Sequence, residues 1–406
     1  MFKLPPAGPA GRPPRRRRGC AGLKMWTDIE SDPAVFSSLL DAFGVPGLTI
    51  RELYSADEAV PYPIHGLLLL FKYDKELLKK LSAQPRPSPP AGLPPPWFAA
   101  QTISNACGTL ALLHVLLNSP GPLSSLGPTL GPFRDFTLAL SPHDRGASLA
   151  DCAPIREAHN SFARPEPFLR DERAPRPWER ARDAFHFVAY TPVASGGVFE
   201  LDGLARGGPV YLGEAGGGAP NAWLPAALAP LRERLALAAD GEIRFTLLAV
   251  AEDGRVALRR SAGAAFAALQ EAHALVLSMG EETGFEDPDC VLARLPRGLV
   301  PAEAAEVAMD EGGGGGGDAG PAAAFLRALA DLEGLAVAFN DEEAQRETWA
   351  RDNALRRHNF VPLILNLLSG LAEAGALPKA LEGARARVAA LRAARAKEGA
   401  GSDDED

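Results

Sequence analysis

The first sustained alternation of apolar and polar positions begins at Trp26. Ser31-Asp32-Pro33 supplies a helix start, and Val35, Phe36, Leu39, Leu40 and Phe43 recur at helical spacing up to Gly44, which ends the run. Residues 65–73 (HGLLLLFKY) are a short apolar run with an aromatic finish, the pattern of a buried strand; the Pro-rich 84–96 reads as a loop. An apolar helix is predicted from Cys107 through Leu110, Leu113, His114 and Leu117, closed by Asn118-Ser119-Pro120. After it the pattern predicts a loop-rich stretch, a helix from Leu149 to about Phe162, and a charged Pro/Arg segment at 164–182 that reads as a mobile loop.

Four strand-like runs follow in close order: 184–191 (AFHFVAYT), 198–201 (VFEL), 210–212 and 243–250 (IRFTLLAV). Between the last two, 221–238 is helical, with Trp223, Leu224, Leu231 and Leu235 on one face. A helix at the cysteine followed by a run of strands predicts an α+β domain over 25–253. Past it the composition shifts to Ala, Leu, Arg and Glu, so 254–320 reads as a variable segment whose glycine run, 312–317, is a flexible linker. Residues 321–397 predict two or three amphipathic helices, and 398–406 an acidic, disordered tail.

Composition narrows the classes. At 406 residues and 46% apolar content, the chain has room for one sizeable core and a smaller one. Cys20, Cys107, Cys152 and Cys290 are far apart and form no CxxC pair, which suits a reducing compartment rather than a disulfide framework or a zinc site. No apolar stretch approaches the roughly 20 residues a bilayer span needs, so no membrane partner is expected. A net charge of -9 argues against nucleic acid and favours protein partners. Residues 1–24 are rich in Pro, Gly and Arg; the run Arg15 to Arg18 fits a nuclear signal, part of a transit peptide, or simply a solvated tail.

Candidate chemistry centres on Cys107. A lone cysteine ahead of an apolar helix is commonly an inert core residue. Here the helix N-terminus favours a thiolate, and the preceding Ser104, Asn105 and Ala106 are small or polar and leave the sulfur approachable. Gln101, six positions upstream, can place an amide N–H beside the Cys107 backbone N–H to hold an oxyanion, or it is an exposed loop residue. His186, between Phe185 and Phe187, faces away from both, as a satisfied core histidine also would. Asp202 ends the VFEL strand before Gly203, where a turn-forming Asp is common. Two strands joined by the short turn at 194–197 lie side by side, so His186 and Asp202 can meet at one end of the pair. Donor, nucleophile, base and orienter then follow in the order Gln101, Cys107, His186, Asp202.

The runs QTISNACGT (101–109), AFHFVAY (184–190) and FELDGL (199–204) resemble the ubiquitin carboxyl-terminal hydrolases. The resemblance covers roughly 26–253 and matches all four functional positions of that family. It implies a papain-like α+β fold, with a central antiparallel sheet flanked by helices and here a C-terminal helical extension. It also implies thiol hydrolysis at the C-terminal glycine of ubiquitin through an acyl-enzyme, no cofactor, and a substrate-filtering crossover loop at 161–182. ESDPAVFSSLL, IREAHNSFARPEPF, EIRF and RRHNFVPLILNLL resemble the proteasome-associated long-form branch. That resemblance implies docking of the C-terminal helices on the adaptor domain of a proteasomal ubiquitin receptor, and a cytoplasmic and nuclear location; the helix-period apolar residues Phe360, Leu363 and Ile364 are the expected contact, or pack within the tail itself. A nuclear deubiquitinase of a chromatin complex and a catalytically silent ubiquitin-binding scaffold are the alternatives.

Overall fold

The computed structural model describes residues 25–55, 62–72, 87–123, 125–163, 185–217, 219–238, 245–279, 285–302 and 320–400. The Arg15–Arg18 run, the charged segment at 164–182, the glycine run and the final acidic residues lie outside them.

Helix α1 (Pro33–Phe43) starts where Asp32 accepts the Ala34 N–H at 2.8 Å and Pro33 occupies the first turn. It stops at Gly44, whose left-handed backbone (φ 74°) a residue with a Cβ would resist. Strands β1 (Leu48–Leu53), β2 (Ile64–Lys72), β3 (Phe185–Pro192), β4 (Gly197–Leu201), β5 (Val210–Glu214) and β6 (Phe245–Glu252) form a six-stranded sheet in the order β1-β6-β2-β3-β4-β5. Every neighbouring pair is antiparallel.

Because successive side chains leave opposite faces of a strand, the sheet builds two cores. On one face, Leu68, Phe187, Ala189, Phe199 and Leu201 pack with α1 and with α2 (Cys107–Leu116). Helices α3 (Gly127–Thr137), α4 (Pro142–Asp151) and α5 (Ala153–Asn160) close that side through Leu130, Phe133, Leu149 and Ile155. On the other face, Leu67, Leu69, Phe71, Val188, Tyr190 and Val198 meet Trp223, Ala227 and Leu231, the last two on α6 (Leu224–Ala238). Cutting a fully buried leucine such as Leu68 to alanine costs about 2–5 kcal/mol in such a core.

A third core joins α7 (Gly254–Ser278), α8 (Pro288–Arg294) and α9 (Pro321–Arg357) through Phe266, Leu269, Val291, Phe325, Leu332 and Phe339. Helix α9 is also fastened beside β1. Arg346 donates to Asp253 Oδ2 at 2.7 Å and to the Leu48 carbonyl at 3.1 Å, and Asn353 Nδ2 donates to the Ala34 carbonyl at 2.9 Å. The described residues from 354 onward form a separate compact unit containing α10 (Val361–Glu373) and α11 (Leu377–Ala400). No residue of α10 is buried.

The structure departs from the sequence pattern in four places. The stretch read as loops holds α3 and α4; Ser141 caps α4, accepting the Asp144 N–H at 3.2 Å, with Pro142 in the first turn. The single helix expected from Leu149 is two, α4 and α5, broken at Cys152. Pro154 has no N–H to bond back to residue 150, and its ring crowds that carbonyl, so Cys152 turns extended and α5 restarts around the proline. Strand β1 was not anticipated, its LTIREL sequence being short and mixed in polarity. The start of the segment read as variable is the 25-residue α7.

Candidate active site

Helix α2 begins at Cys107, and no side chain caps it, so its first-turn N–H groups are not spent on a capping residue. Gly108 lets this turn press on the sheet: a Cβ there would lie 2.7 Å from Phe36 Cζ and 3.2 Å from the Phe187 ring. Behind it, the Thr109 hydroxyl meets His159 Nδ1 at 2.7 Å, while His159 Nε2 donates to the Thr27 carbonyl at 2.7 Å. Asn105 donates to the Trp26 carbonyl at 3.2 Å. The N-terminal segment and α5 therefore brace the turn that presents the thiol.

His186 sits at the start of β3 and is 3% exposed; Asp202, just past β4, is 8% exposed. The β3–β4 hairpin brings them together, with His186 Nε2 2.6 Å from Asp202 Oδ1. Asp202 Oδ1 also accepts the Leu204 N–H at 2.8 Å, which aims the carboxylate. The Cys107 side chain adjoins the imidazole and, like Asp202, favours its charged form. Burial by itself would depress the imidazole, but the bonds to Asp202 and Cys107 outweigh it and raise His186 to about 9. Burial would raise the Asp202 carboxyl, and its bond to His186 outweighs that and holds it below the ordinary carboxylate value. At neutral pH the arrangement is a buried imidazolium between a carboxylate and a sulfur.

The contrast with His114 is instructive. Fully buried on α2 and stacked on Phe98 at 5.1 Å, it is pushed by desolvation down to about 4 and stays neutral. Both histidines lie in apolar surroundings, and only the one with a carboxylate partner is held as a cation.

Gln101 is held from two sides. Its backbone N–H donates to the Gly203 carbonyl at 2.8 Å, beside Asp202, and the preceding Ala100 N–H donates to the Pro142 carbonyl at 2.8 Å. Helix α4 approaches so closely that a Cβ at Gly146 would fall 2.1 Å from the Ala100 carbonyl oxygen. Gln101 lines a small hollow with Ala106 and Leu110 of the α2 end, and its Oε1 is buried. Gly203 is equally constrained, since a Cβ would meet Leu110 Cδ2 at 2.6 Å and Gln101 Cβ at 3.1 Å. All four residues expected of a thiol hydrolase thus gather where α2 meets one end of the sheet. Phe360, Leu363 and Ile364 belong to the separate C-terminal unit, with Phe360 and Leu363 exposed.

Sequence reasoning missed the supports. Gly146 and Gly203 are required by close approach, a signal that a lone glycine in the chain does not carry. Glu200 and Arg234 form a buried ion pair at 2.7 Å beside the site, yet each reads by itself as an ordinary surface charge.

A cysteine at a helix N-terminus beside a buried, hydrogen-bonded His–Asp pair on an antiparallel sheet defines a cysteine hydrolase of papain-like architecture. The chain belongs to the ubiquitin carboxyl-terminal hydrolases of family 1, which match residues 26–236; a second ubiquitin carboxyl-terminal hydrolase family matches 335–377. It is 32% identical over 378 residues to ubiquitin carboxyl-terminal hydrolase isozyme L5 of Dictyostelium discoideum, covering 89% of this chain and 96% of that one. Over 244 residues it is 37% identical to ubiquitin carboxyl-terminal hydrolase BAP1 of Xenopus tropicalis, covering 57% of this chain but 35% of the relative. The crystal structure of Trichinella spiralis UCH37 bound to ubiquitin vinyl methyl ester superposes with a TM-score of 0.50 at 28% identity, covering 80% of this chain and 99% of that one.

Proposed function

We propose that the chain cleaves peptide and isopeptide bonds at the C-terminal glycine of ubiquitin, with Cys107 as nucleophile. The observation that carries this reading is the buried His186–Asp202 hydrogen bond at 2.6 Å with Cys107, at the start of α2, beside the imidazole. With the thiol proton already held on His186, the Cys107 sulfur attacks the scissile carbonyl. The oxyanion is held by the Gln101 amide and the Cys107 backbone N–H. His186 returns the proton to the departing amine, leaving a thioester on Cys107. It then deprotonates the water that attacks this thioester and releases the ubiquitin carboxylate. Asp202 fixes the ring and favours its charged form. Ubiquitin as the substrate is supported by family membership and by the Trichinella spiralis relative, whose structure holds a ubiquitin electrophile.

The proposal extends to recruitment: α10 docks on the adaptor domain of a proteasomal ubiquitin receptor, in the cytoplasm and the nucleus. Its support is an apolar helix with no buried residue, Phe360 at 42% and Leu363 at 54% exposure, within the second family match. Large apolar anchors laid into a groove each contribute about 2 kcal/mol or more. The test pairs hydrolysis of a fluorogenic C-terminal amide of ubiquitin with co-purification from cells. The reading expects Cys107→Ser to lose hydrolysis and keep proteasomes, and Phe360→Ala with Leu363→Ala to do the reverse. If both activities survive both variants, the reading is wrong.

A further inference from the structure

Beneath the His186–Asp202 pair lies a charged group that no catalytic step uses. Arg234 of α6 is 4% exposed, and its Nη2 donates to Glu200 Oε1 of β4 at 2.7 Å. Such a pair is a poor choice for stability: desolvating both charges roughly cancels their attraction, and apolar residues of similar volume often serve as well. This pair is also incompletely bonded, since Glu200 Oε2 and Arg234 Nη1 are buried with no protein hydrogen-bond partner among the described residues. Its retention calls for another reason, and its neighbours supply one.

The Arg234 guanidinium carbon stands 5.1 Å from the centre of the Phe71 ring, within the range of a cation–π contact. Phe71 lies opposite His186 in the β2–β3 register, and the two rings meet edge to face at 76°, 6.2 Å between centres. Glu200 is two residues before Asp202 on β4 and opposite Tyr190 in the β3–β4 register. The pair therefore reaches the site twice: from Arg234 across the Phe71 face to the imidazole, and from Glu200 along β4 to the carboxylate. Its anchor is firm, because Ala227 and Leu231 of the same helix are fully buried against the sheet. The Arg234 charge also favours the ionised form of Asp202.

We infer that Glu200 and Arg234 are positioning residues that hold the His186 ring and the Asp202 carboxylate in register from the face of the sheet covered by α6. This rests on the proposed roles of His186 and Asp202. A ring tilted away from the sulfur affects the chemical step and not the affinity for substrate, so the loss belongs in kcat.

The test uses the full chain, a fluorogenic C-terminal amide of ubiquitin, and active-site titration with a ubiquitin electrophile. Glu200→Gln combined with Arg234→Met removes both charges together, leaving no orphan ion. The expected result is a fall in kcat of about tenfold or more with KM held within about twofold. The far-downfield N–H resonance of the His186–Asp202 bond should broaden or move with it. Phe71→Leu, with the ion pair intact, lowers kcat in the same direction, and Arg234→Lys retains more activity than Arg234→Met. An unchanged kcat per titrated site with the resonance in place overturns the inference, whatever happens to the melting temperature; so does an effect on KM alone. Should the double variant not fold, Phe71→Leu decides by the same two readouts. If the wild-type chain fails to hydrolyse the substrate, the proposed function falls, and the resonance still decides whether the pair positions the ring.

Discussion

Two regions of this molecule use apolar sequence in opposite ways. At the end of the sheet, His186 and Asp202 are buried, with Phe71 against the imidazole, and the resulting low dielectric strengthens the bonds that raise one group and lower the other. In α10, Leu363, Leu365 and Leu367 are between 54% and 60% exposed. The first region completes itself inside one chain. The second leaves its apolar surface in water. Charge chemistry is concentrated where burial is complete, and apolar surface is left open where none of the helix is buried.

The comparison breaks most visibly at the nucleophile. Replacing Cys107 by Ser should lower kcat by on the order of 10^5-fold, since the hydroxyl lacks the acidity and nucleophilicity of the thiol. Residual hydrolysis within a factor of ten of wild type would mean that the site lies elsewhere.

Asp202→Asn should follow at roughly 10^4-fold, the scale expected when an orienting carboxylate is lost and the tautomer changes. It also sharpens the electrostatic half of the comparison. His186 is raised to about 9, so its contribution to stability is fully present below the ordinary histidine value of 6.5 and is lost as pH rises through about 9. Asp202 is lowered, so its contribution is present above the ordinary 3.8 and is lost as pH falls through its depressed value. The melting-temperature gap between wild type and Asp202→Asn should be widest between those two ordinary values and close toward pH 9. A gap that widens with alkali would reverse the assignment of charge.

Gln101→Ala should lower kcat by about 10^2 to 10^3-fold and leave KM nearly unchanged, because the oxyanion exists only during reaction. A change confined to KM would make Gln101 a binding residue. Smaller again is Gly203→Ala, where the new methyl must displace Leu110 or Gln101; we expect a loss of about tenfold in kcat, read in the same assay. The smallest effect belongs to the open region. Phe360→Ala with Leu363→Ala should leave kcat unaltered and change stability by no more than about 0.5 kcal/mol for each exposed substitution, measured by denaturant melts. A large destabilisation would show that these side chains serve the fold of their own unit.

The same contrast explains what was legible in the sequence. Cys107, His186, Asp202 and Gln101 stand in short motifs whose order and spacing survive without knowledge of the fold, and α1 announced itself through Asp32, Pro33 and Gly44. The supports did not announce themselves. Arg234 and Glu200 are 34 residues apart and meet only because α6 crosses β4. Gly146 matters only because α4 packs on the Ala100 carbonyl. Helices α3 and α4 are hidden by Pro and Gly that do not break them: Pro128 and Pro142 sit in the first turns, and Pro132 lies inside α3. Helix α7 is hard to see in the sequence because its Ala-rich face finds its apolar partner in α9, which begins at Pro321, well after α7 ends at Ser278. Local chemistry was readable, and long-range packing was not.

One measurement bears most directly on the account: labelling with a ubiquitin C-terminal electrophile, followed by peptide mapping, of the full chain and of a chain ending at Arg357. The shorter chain keeps α9 with its bonds to Asp253, Leu48 and Ala34 and lacks α10 and α11. We predict a single adduct on Cys107 in both, formed at comparable rates. An adduct on Cys152 or Cys290, or labelling lost when α10 and α11 are removed, would contradict a site that is complete without the C-terminal helices.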